Sequence, residues 1–196
     1  MSDAVKLNAH LWARHPDDWY VEPTWCPARL FDVEQFDGKV WDPACGLGRI
    51  PAAAIAAGME AIGSDKVLRV TPLPSWQWSW PVDFLAGEKL PIARNIVSNP
   101  PFSLAQAFVR QALQTVSGKV AMLLPAKFMH SEKRRPWFAR TPLARVWILS
   151  SRPSMPPGPV IEAGISPGGG KVDFIWVVWD PRHSGPVEMR WLGRAA

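Results

Sequence analysis

The run from Lys39 to Ala57 constrains the fold more than any other part of the chain. A short apolar stretch, Lys39-Val40-Trp41-Asp42, ends on a carboxylate. It passes through Pro43-Ala44-Cys45-Gly46-Leu47-Gly48 into a helical segment, Leu47 to Ala57, in which Ile50, Ala54 and Ala57 share a face. Strand, glycine turn and helix in direct succession form the opening unit of an α/β sheet, because parallel strands need crossovers and helices supply them. Gly46 and Gly48 carry no Cβ, so bare backbone can approach a ligand at the C-terminal end of the strand. The turn has neither the third glycine of the dinucleotide fingerprint nor the lysine of a P-loop.

The alternation continues along the chain. Ala61 to Asp65 predicts a second strand that again finishes on an acid, and a short third strand ends near Val82 and Asp83. Asn95 to Ser98 forms a fourth and runs directly into Asn99-Pro100-Pro101-Phe102. A helix follows over Ser103 to Val116, with Phe108, Ala112 and Val116 at helical spacing. Val120 to Leu124 reads as the central strand, a short basic helix comes next (EKRRPWFAR), and Arg145 to Leu149 and Phe174 to Trp179 close the series. Between the last two lies a Pro- and Gly-rich loop, residues 151–171, of a length that marks a functional lid or a disordered segment.

Composition narrows the class. A chain of 196 residues supports a single domain, here 1–196 with an N-terminal arm over 1–17. With 47% apolar and 20% charged residues it can bury a full core, which excludes a disordered polyelectrolyte. Apolar runs such as Phe174 to Trp179 are far too short to cross a bilayer, and the first residues show no apolar leader core. Cys26 and Cys45 cannot make a disulfide framework, and His10, His15, His130 and His183 are scattered. The expectation is a cytoplasmic chain with no metal and no membrane partner. Lys and Arg number 22 against 17 Asp and Glu, a net charge of +5 that suits a polyanionic partner. Twelve Trp and 21 Pro beside one Tyr call for a reason, in packing or in stacking on a flat ligand.

Three further pieces surround the glycine turn. Asp65 stands where an acid either accepts from two ribose hydroxyls or caps a helix. Asp83 beside Phe84 pairs an acceptor for an amino group with an aromatic face. Asn99-Pro100-Pro101-Phe102 lies at a strand's C-terminal end, where open α/β sheets place ligands. Two prolines fix the backbone and remove two N–H donors. The Asn99 side-chain carbonyl and the Pro100 backbone carbonyl then make a pair of acceptors for a planar exocyclic amino group, and Phe102 offers a face for its ring.

These residues, in this order, resemble the class I S-adenosylmethionine-dependent amino-methyltransferases, and most closely the DNA adenine-N6 methyltransferases with their small phage-type members. Asp18-Trp19-Tyr20-Val21-Glu22-Pro23 is similar to that family's N-terminal motif, which closes over the methionine end of the cofactor. The motif precedes the glycine turn and Asn-Pro-Pro-Phe comes last, the gamma-type order; the resemblance spans about residues 18 to 180. It implies a Rossmann-like class I methyltransferase fold: a mostly parallel seven-stranded sheet with an antiparallel last strand and helices on both faces. It implies S-adenosyl-L-methionine as cofactor, held by Trp19, Tyr20, Pro23, Asp42, Pro43, Cys45, Gly46, Gly48, Asp65, Asp83, Phe84 and Asn99. The catalytic set it implies is Asn99, Pro100, Pro101 and Phe102.

The chain departs from the family in two ways. Glu22 stands where the N-terminal motif carries a Thr before its Pro, and Thr24 follows the Pro instead. No residues remain for a separate target-recognition domain. Candidates for that work are the 151–171 loop with Arg152 and Lys171, the basic run with Arg134 and Arg135, and Trp76-Gln77-Trp78-Ser79-Trp80. The expected activity is methylation of adenine N6 in DNA, in a bacterial or phage-infected cell. The alternatives are adenine in RNA, cytosine N4, a protein glutamine, or a non-catalytic nucleic-acid-binding module on the same scaffold.

Overall fold

The computed structural model describes residues 15–70, 74, 81–87, 90–166 and 168–194. Seven strands form one sheet: β1 Val40–Asp42, β2 Ala61–Gly63, β3 Asn95–Ser98, β4 Val120–Pro125, β5 Leu143–Leu149, β6 Phe174–Trp179 and β7 Glu188–Leu192. Their spatial order is β2-β1-β3-β4-β6-β5-β7. Every neighbouring pair is parallel except those made by β6, which runs antiparallel to both β4 and β5. The helices are α1 Trp25–Val33, α2 Arg49–Ala56, α3 Ala105–Thr115, α4 Arg135–Phe138 and α5 Gly158–Glu162. This is the expected Rossmann-like α/β architecture.

Helices cover both faces of the sheet, so its central strands carry no polar side. All six residues of β4 and of β6 are buried. Their side chains alternate between two cores. Val120, Met122, Leu124, Ile175, Val177 and Trp179 pack with Phe108, Val109 and Ala112 of α3. Ala121, Leu123, Phe174, Trp176 and Val178 pack on the other side with Leu30 and Phe31 of α1 and Ile50 and Ala54 of α2. Much of the tryptophan excess goes here. The indole N–H groups of Trp41, Trp147, Trp176 and Trp179 donate to Ser64 Oγ, Glu34 Oε1, the Cys26 carbonyl and Thr141 Oγ1, at 2.9–3.1 Å.

Several elements differ from expectation. No strand forms at Val82 and Asp83. Pro81 has no N–H for a ladder, and Val82 makes one backbone bond, to the Asp65 carbonyl at 2.9 Å. The tryptophan run 76–80 lies outside the described residues. The antiparallel strand Phe174–Trp179 is not the last: β7 follows and pairs parallel with β5 at the sheet edge. Helix α1 was also unanticipated. The basic helix is shorter than expected, a 3-10 turn over Glu132–Arg134 leading into the four-residue α4. Among the described residues no helix is long and apolar enough to cross a membrane.

Candidate functional site

The chain moves outward from β1 to β2 and then returns to β3 on the other side of β1. Loops leaving β1 and β3 therefore part in opposite directions and open a crevice at the strands' C-terminal ends. A cleft of about 420 Å³ occupies that place, within the usual range for small-molecule sites. Trp19, Tyr20, Pro43, Cys45, Gly46, Asp65, Asp83, Phe84 and Asn99 line it, as do Glu22, Arg69 and Pro101. Pro23, Asp42, Gly48, Pro100 and Phe102 do not.

Acids hold the glycine turn in shape. Asp42 Oδ1 accepts from Ser98 Oγ at 2.7 Å and from the Ala44 N–H at 3.1 Å, so it joins the ends of β1 and β3. Asp65 accepts the Gly46 N–H at 3.0 Å through one oxygen and the Val67 N–H at 3.0 Å through the other. It thus caps loop amides rather than a helix. Gly46 has φ +49°, and a Cβ there would sit 2.9 Å from Trp19 Nε1, so only glycine suits the position. Asp83 is spoken for: Lys66 Nζ lies 2.7 Å from Oδ2 and the Leu85 N–H 3.1 Å from Oδ1.

Residues 16–22 form the opposite wall. Asp18 takes a left-handed conformation, φ +49°, which Asp tolerates better than most residues, and it accepts the Ser103 N–H at 2.9 Å. Trp19 lies under the Arg69 guanidinium, 4.2 Å from its ring centroid. The 151–171 loop closes over this segment. Val21 N–H donates to the Pro156 carbonyl at 2.9 Å, Gly158 N–H to the Trp19 carbonyl at 3.2 Å, and Tyr20 bridges Pro157. Gly158 touches the indole so closely that a Cβ would fall 2.2 Å from it.

Asn99 sits where these walls meet. Its Nδ2 donates to the Tyr20 carbonyl and to Glu22 Oε2, both at 2.9 Å. Its Oδ1 is buried without a partner, a state that costs about 1–3 kcal/mol unless a ligand supplies a donor. The Pro101 carbonyl accepts the Leu104 N–H at 2.9 Å, whereas no donor among the described residues reaches the Pro100 carbonyl. Phe102 packs in an aromatic row, parallel to Tyr20 at 5.6 Å and tilted against Phe174 at 5.6 Å.

Carboxyls at and behind the cleft wall are shifted toward their protonated forms. Burial pushes the Glu22 carboxyl above its ordinary value, against hydrogen bonds from its own backbone and Asn99 and the charge of Arg49. Burial also pushes Asp42 well up, and repulsion from Glu22 adds to it. Asp65 is raised by burial in the same way. Both thiols are driven up by burial, which makes Cys26 and Cys45 inert.

The proposed nucleic-acid contacts stand apart from the cleft. Arg134 is half-buried, with its Nε on the Phe128 carbonyl at 3.0 Å and its guanidinium 4.4 Å from the Phe128 ring centroid. Arg135 pairs with Glu132 at 3.1 Å and Arg152 with Asp173 at 2.6 Å, both exposed, and Lys171 is exposed. None of the four lines the cleft. Arg69 carries no sequence signal for the site, and Asp18 and Glu22 stand in the N-terminal motif with no role of their own assigned there. For Glu22 a signal existed: an acid in place of Thr, next to Pro, on a segment already assigned to the cleft.

No family model and no curated protein matches the chain. Solved structures do. A Pyrococcus horikoshii protein, provisionally described as an RNA methyltransferase, aligns over 80% of this chain and 80% of its own, with 13% identity and a TM-score of 0.55. The 23S rRNA methyltransferase ErmE aligns over 82% of this chain and 70% of its own, with 15% identity and a TM-score of 0.53. A TehB-like SAM-dependent methyltransferase from Corynebacterium glutamicum aligns over 80% and 87%, with 16% identity and a TM-score of 0.52. At such identities the likeness is one of fold. The chain has the Rossmann-like fold of the class I S-adenosylmethionine-dependent methyltransferases.

Proposed function

We propose that this chain, as one catalytic domain, transfers the methyl group of S-adenosyl-L-methionine to the exocyclic N6 amino group of adenine in DNA. The observation that carries the reading is the buried, unpartnered Oδ1 of Asn99 at the wall of a cleft at the sheet's switch point. An acceptor left without a donor inside a folded protein is a place for a ligand's N–H.

The residues present fit the cofactor. The glycine turn brings backbone to the cleft, Asp65 is placed for ribose hydroxyls, and Val82, Asp83 and Phe84 make a wall for an adenine ring. Trp19 and Tyr20 line the cleft and offer flat apolar surface to a methionine moiety. When bound, the cofactor's sulfonium supplies an electrophilic methyl group.

The chain's own task is to prepare the target nitrogen, whose lone pair is delocalised into its ring. Asn99 Oδ1 and the Pro100 carbonyl each accept one of its two N–H bonds, which favours a pyramidal, more nucleophilic nitrogen and aims it at the methyl. On methylation that nitrogen becomes cationic and sheds a proton to water, so no side-chain base is needed. Reaching the amino group in a duplex requires flipping the base, at a cost of a few kcal/mol, with the Phe102–Tyr20 edge to receive it. The net charge of +5 and the exposed cations Arg135, Arg152 and Lys171 support a phosphate backbone as partner, with Arg134 beside them.

RNA adenine is the second reading, because one structural neighbour is described as an rRNA methyltransferase. The test is to incubate the protein with methyl-labelled cofactor and unmethylated DNA, RNA and protein in parallel, then digest and identify the labelled product. N6-methyldeoxyadenosine is expected. Label confined to RNA selects the second reading, and label confined to protein removes both.

A further inference from the structure

The Asn99 amide has two possible orientations, and the one it takes decides whether the cleft presents an acceptor or a donor. The surrounding atoms force the choice. On one side lie two acceptors, the Tyr20 carbonyl and Glu22 Oε2, each 2.9 Å from Nδ2. A flipped amide would set its oxygen against both, replacing two hydrogen bonds by two repulsive contacts. Both hydrogens of Nδ2 are thereby consumed on the protein side, and Oδ1 is what remains.

Of the two acceptors, the backbone carbonyl is available from any residue at position 20. The side-chain acceptor is particular to this chain, which has Glu at position 22. That carboxyl is itself fixed. Glu22 is 6% exposed, and its backbone carbonyl accepts from the Arg49 guanidinium at 2.5 Å, which ties its segment to the start of α2. An ionised Glu22 can only accept; a protonated one keeps an acceptor oxygen for Nδ2, and the Tyr20 carbonyl, which can only accept, still disfavours the flipped amide.

We propose that Glu22 is a positioning residue for methyl transfer: its carboxyl locks the Asn99 amide with Oδ1 toward the cleft, and so enforces recognition of an amino group as opposed to a carbonyl. This rests on the function proposed above and names what selects the target atom there. Glu22 needs to touch neither cofactor nor target to do this. A carbonyl-bearing base edge would meet Oδ1 as acceptor against acceptor and be rejected, as an unpaired buried polar group is rejected.

The test compares Glu22→Gln with Glu22→Leu. Glutamine keeps a carbonyl to accept from Nδ2; leucine fills similar space and has none. Cofactor Kd by calorimetry, KM for DNA and kcat are measured for each. Glu22→Gln is expected to stay within about threefold of wild type in all three. Glu22→Leu is expected to lose about 100-fold in kcat, the size of effect a mis-set catalytic group produces, with Kd and KM unchanged. Wild-type kcat in Glu22→Leu overturns the proposal. So does an equal kcat loss in both variants, or a loss that tracks weakened cofactor binding. Should Glu22→Leu not fold, the Asn99 side-chain amide of ¹⁵N-labelled wild-type protein decides the matter: protection of both NH₂ protons from exchange supports the lock, and free exchange overturns it. A wild-type chain that methylates no acceptor is a separate failure, since it removes the underlying function whatever the amide does.

Discussion

Buried acids gather at both ends of this sheet, and the two groups are treated in opposite ways. At the N-terminal end of β4, Glu34 accepts from Lys119 at 2.7 Å, from Trp147 at 2.9 Å and from both nitrogens that Arg145 offers. Asp180 joins the same cations, 3.3 Å from Arg145 and 3.6 Å from Lys119. Burial works against the Glu34 anion, but these donors outweigh it and hold the carboxyl below its ordinary value; Asp180 is depressed likewise. At the other end Glu22, Asp42 and Asp65 are raised by burial, and among the described residues no cation pairs with the carboxyl of Glu22 or Asp42. A cluster that serves only the fold is neutralised from within. The other cluster is held chiefly by neutral donors and shifted toward its protonated forms beside a cleft, the kind of perturbation that gathers at ligand sites.

The sharpest way to break this contrast is Glu34→Gln. Removing that charge leaves Lys119 and Arg145 with Asp180 as their one carboxylate, and a loss of about 3–5 kcal/mol is expected in chemical denaturation, with catalysis by the folded fraction intact. Asn99→Ala should do the reverse. Methyl transfer is expected to fall by about 10²–10³-fold while calorimetry shows that the cofactor still binds, and denaturation shows a smaller loss of stability than in Glu34→Gln. Gly158→Ala drives a methyl into Trp19 and should cost about 1–3 kcal/mol, together with weaker cofactor binding, because the clash lies on the cleft side alone.

Acid titration separates the two ends without a ligand. Glu34 and Asp180 contribute stability that is present above their unfolded values and lost as pH falls through their depressed folded values. Glu22, Asp42 and Asp65 act oppositely: the fold favours their protonated forms, so stability declines as pH rises from the ordinary carboxylate value through the raised ones. Denaturation midpoints measured across that range should lose part of their acid-side slope in Glu34→Gln, Asp180 keeping the rest. The smallest effect is expected from Asp42→Asn, neutral to stabilising by up to about 1 kcal/mol at pH 7, with the neutral-side slope reduced. An Asp42→Asn variant as unstable as Glu34→Gln would show that the two groups are alike after all.

The parts of this molecule that could be read from residues were those with strong local chemistry. The order of β1, turn and α2 follows from apolar run, two glycines and alanines, and the tandem prolines after β3 announce a stop at the sheet's ligand-bearing end. Helix α1 was not legible because Pro27 interrupts its pattern and Thr24 makes no side-chain cap. β7 was missed because an edge strand shows little alternation: of Glu188–Leu192 only Leu192 is buried. Val82 and Asp83 lie outside any strand because Pro81 has no N–H to offer a ladder, an effect the apolar pattern conceals. The Glu22–Asn99 contact is a matter of tertiary placement, since it joins residues far apart in the chain, and no spacing rule reports it.

The insertion of β6 between β4 and β5 has a consequence for how the chain is made. β4 is wholly apolar, and one of its two edges is completed by Phe174–Trp179, translated long after Pro125. At roughly 5–20 residues per second the nascent protein carries an open, sticky strand edge for several seconds before its partner emerges. During that interval the growing polypeptide offers an unpaired β-template to any neighbour. A chain cut short before Phe174 would keep that edge for good, so truncated products should partition to aggregates or to chaperones rather than persist as a shortened folded domain.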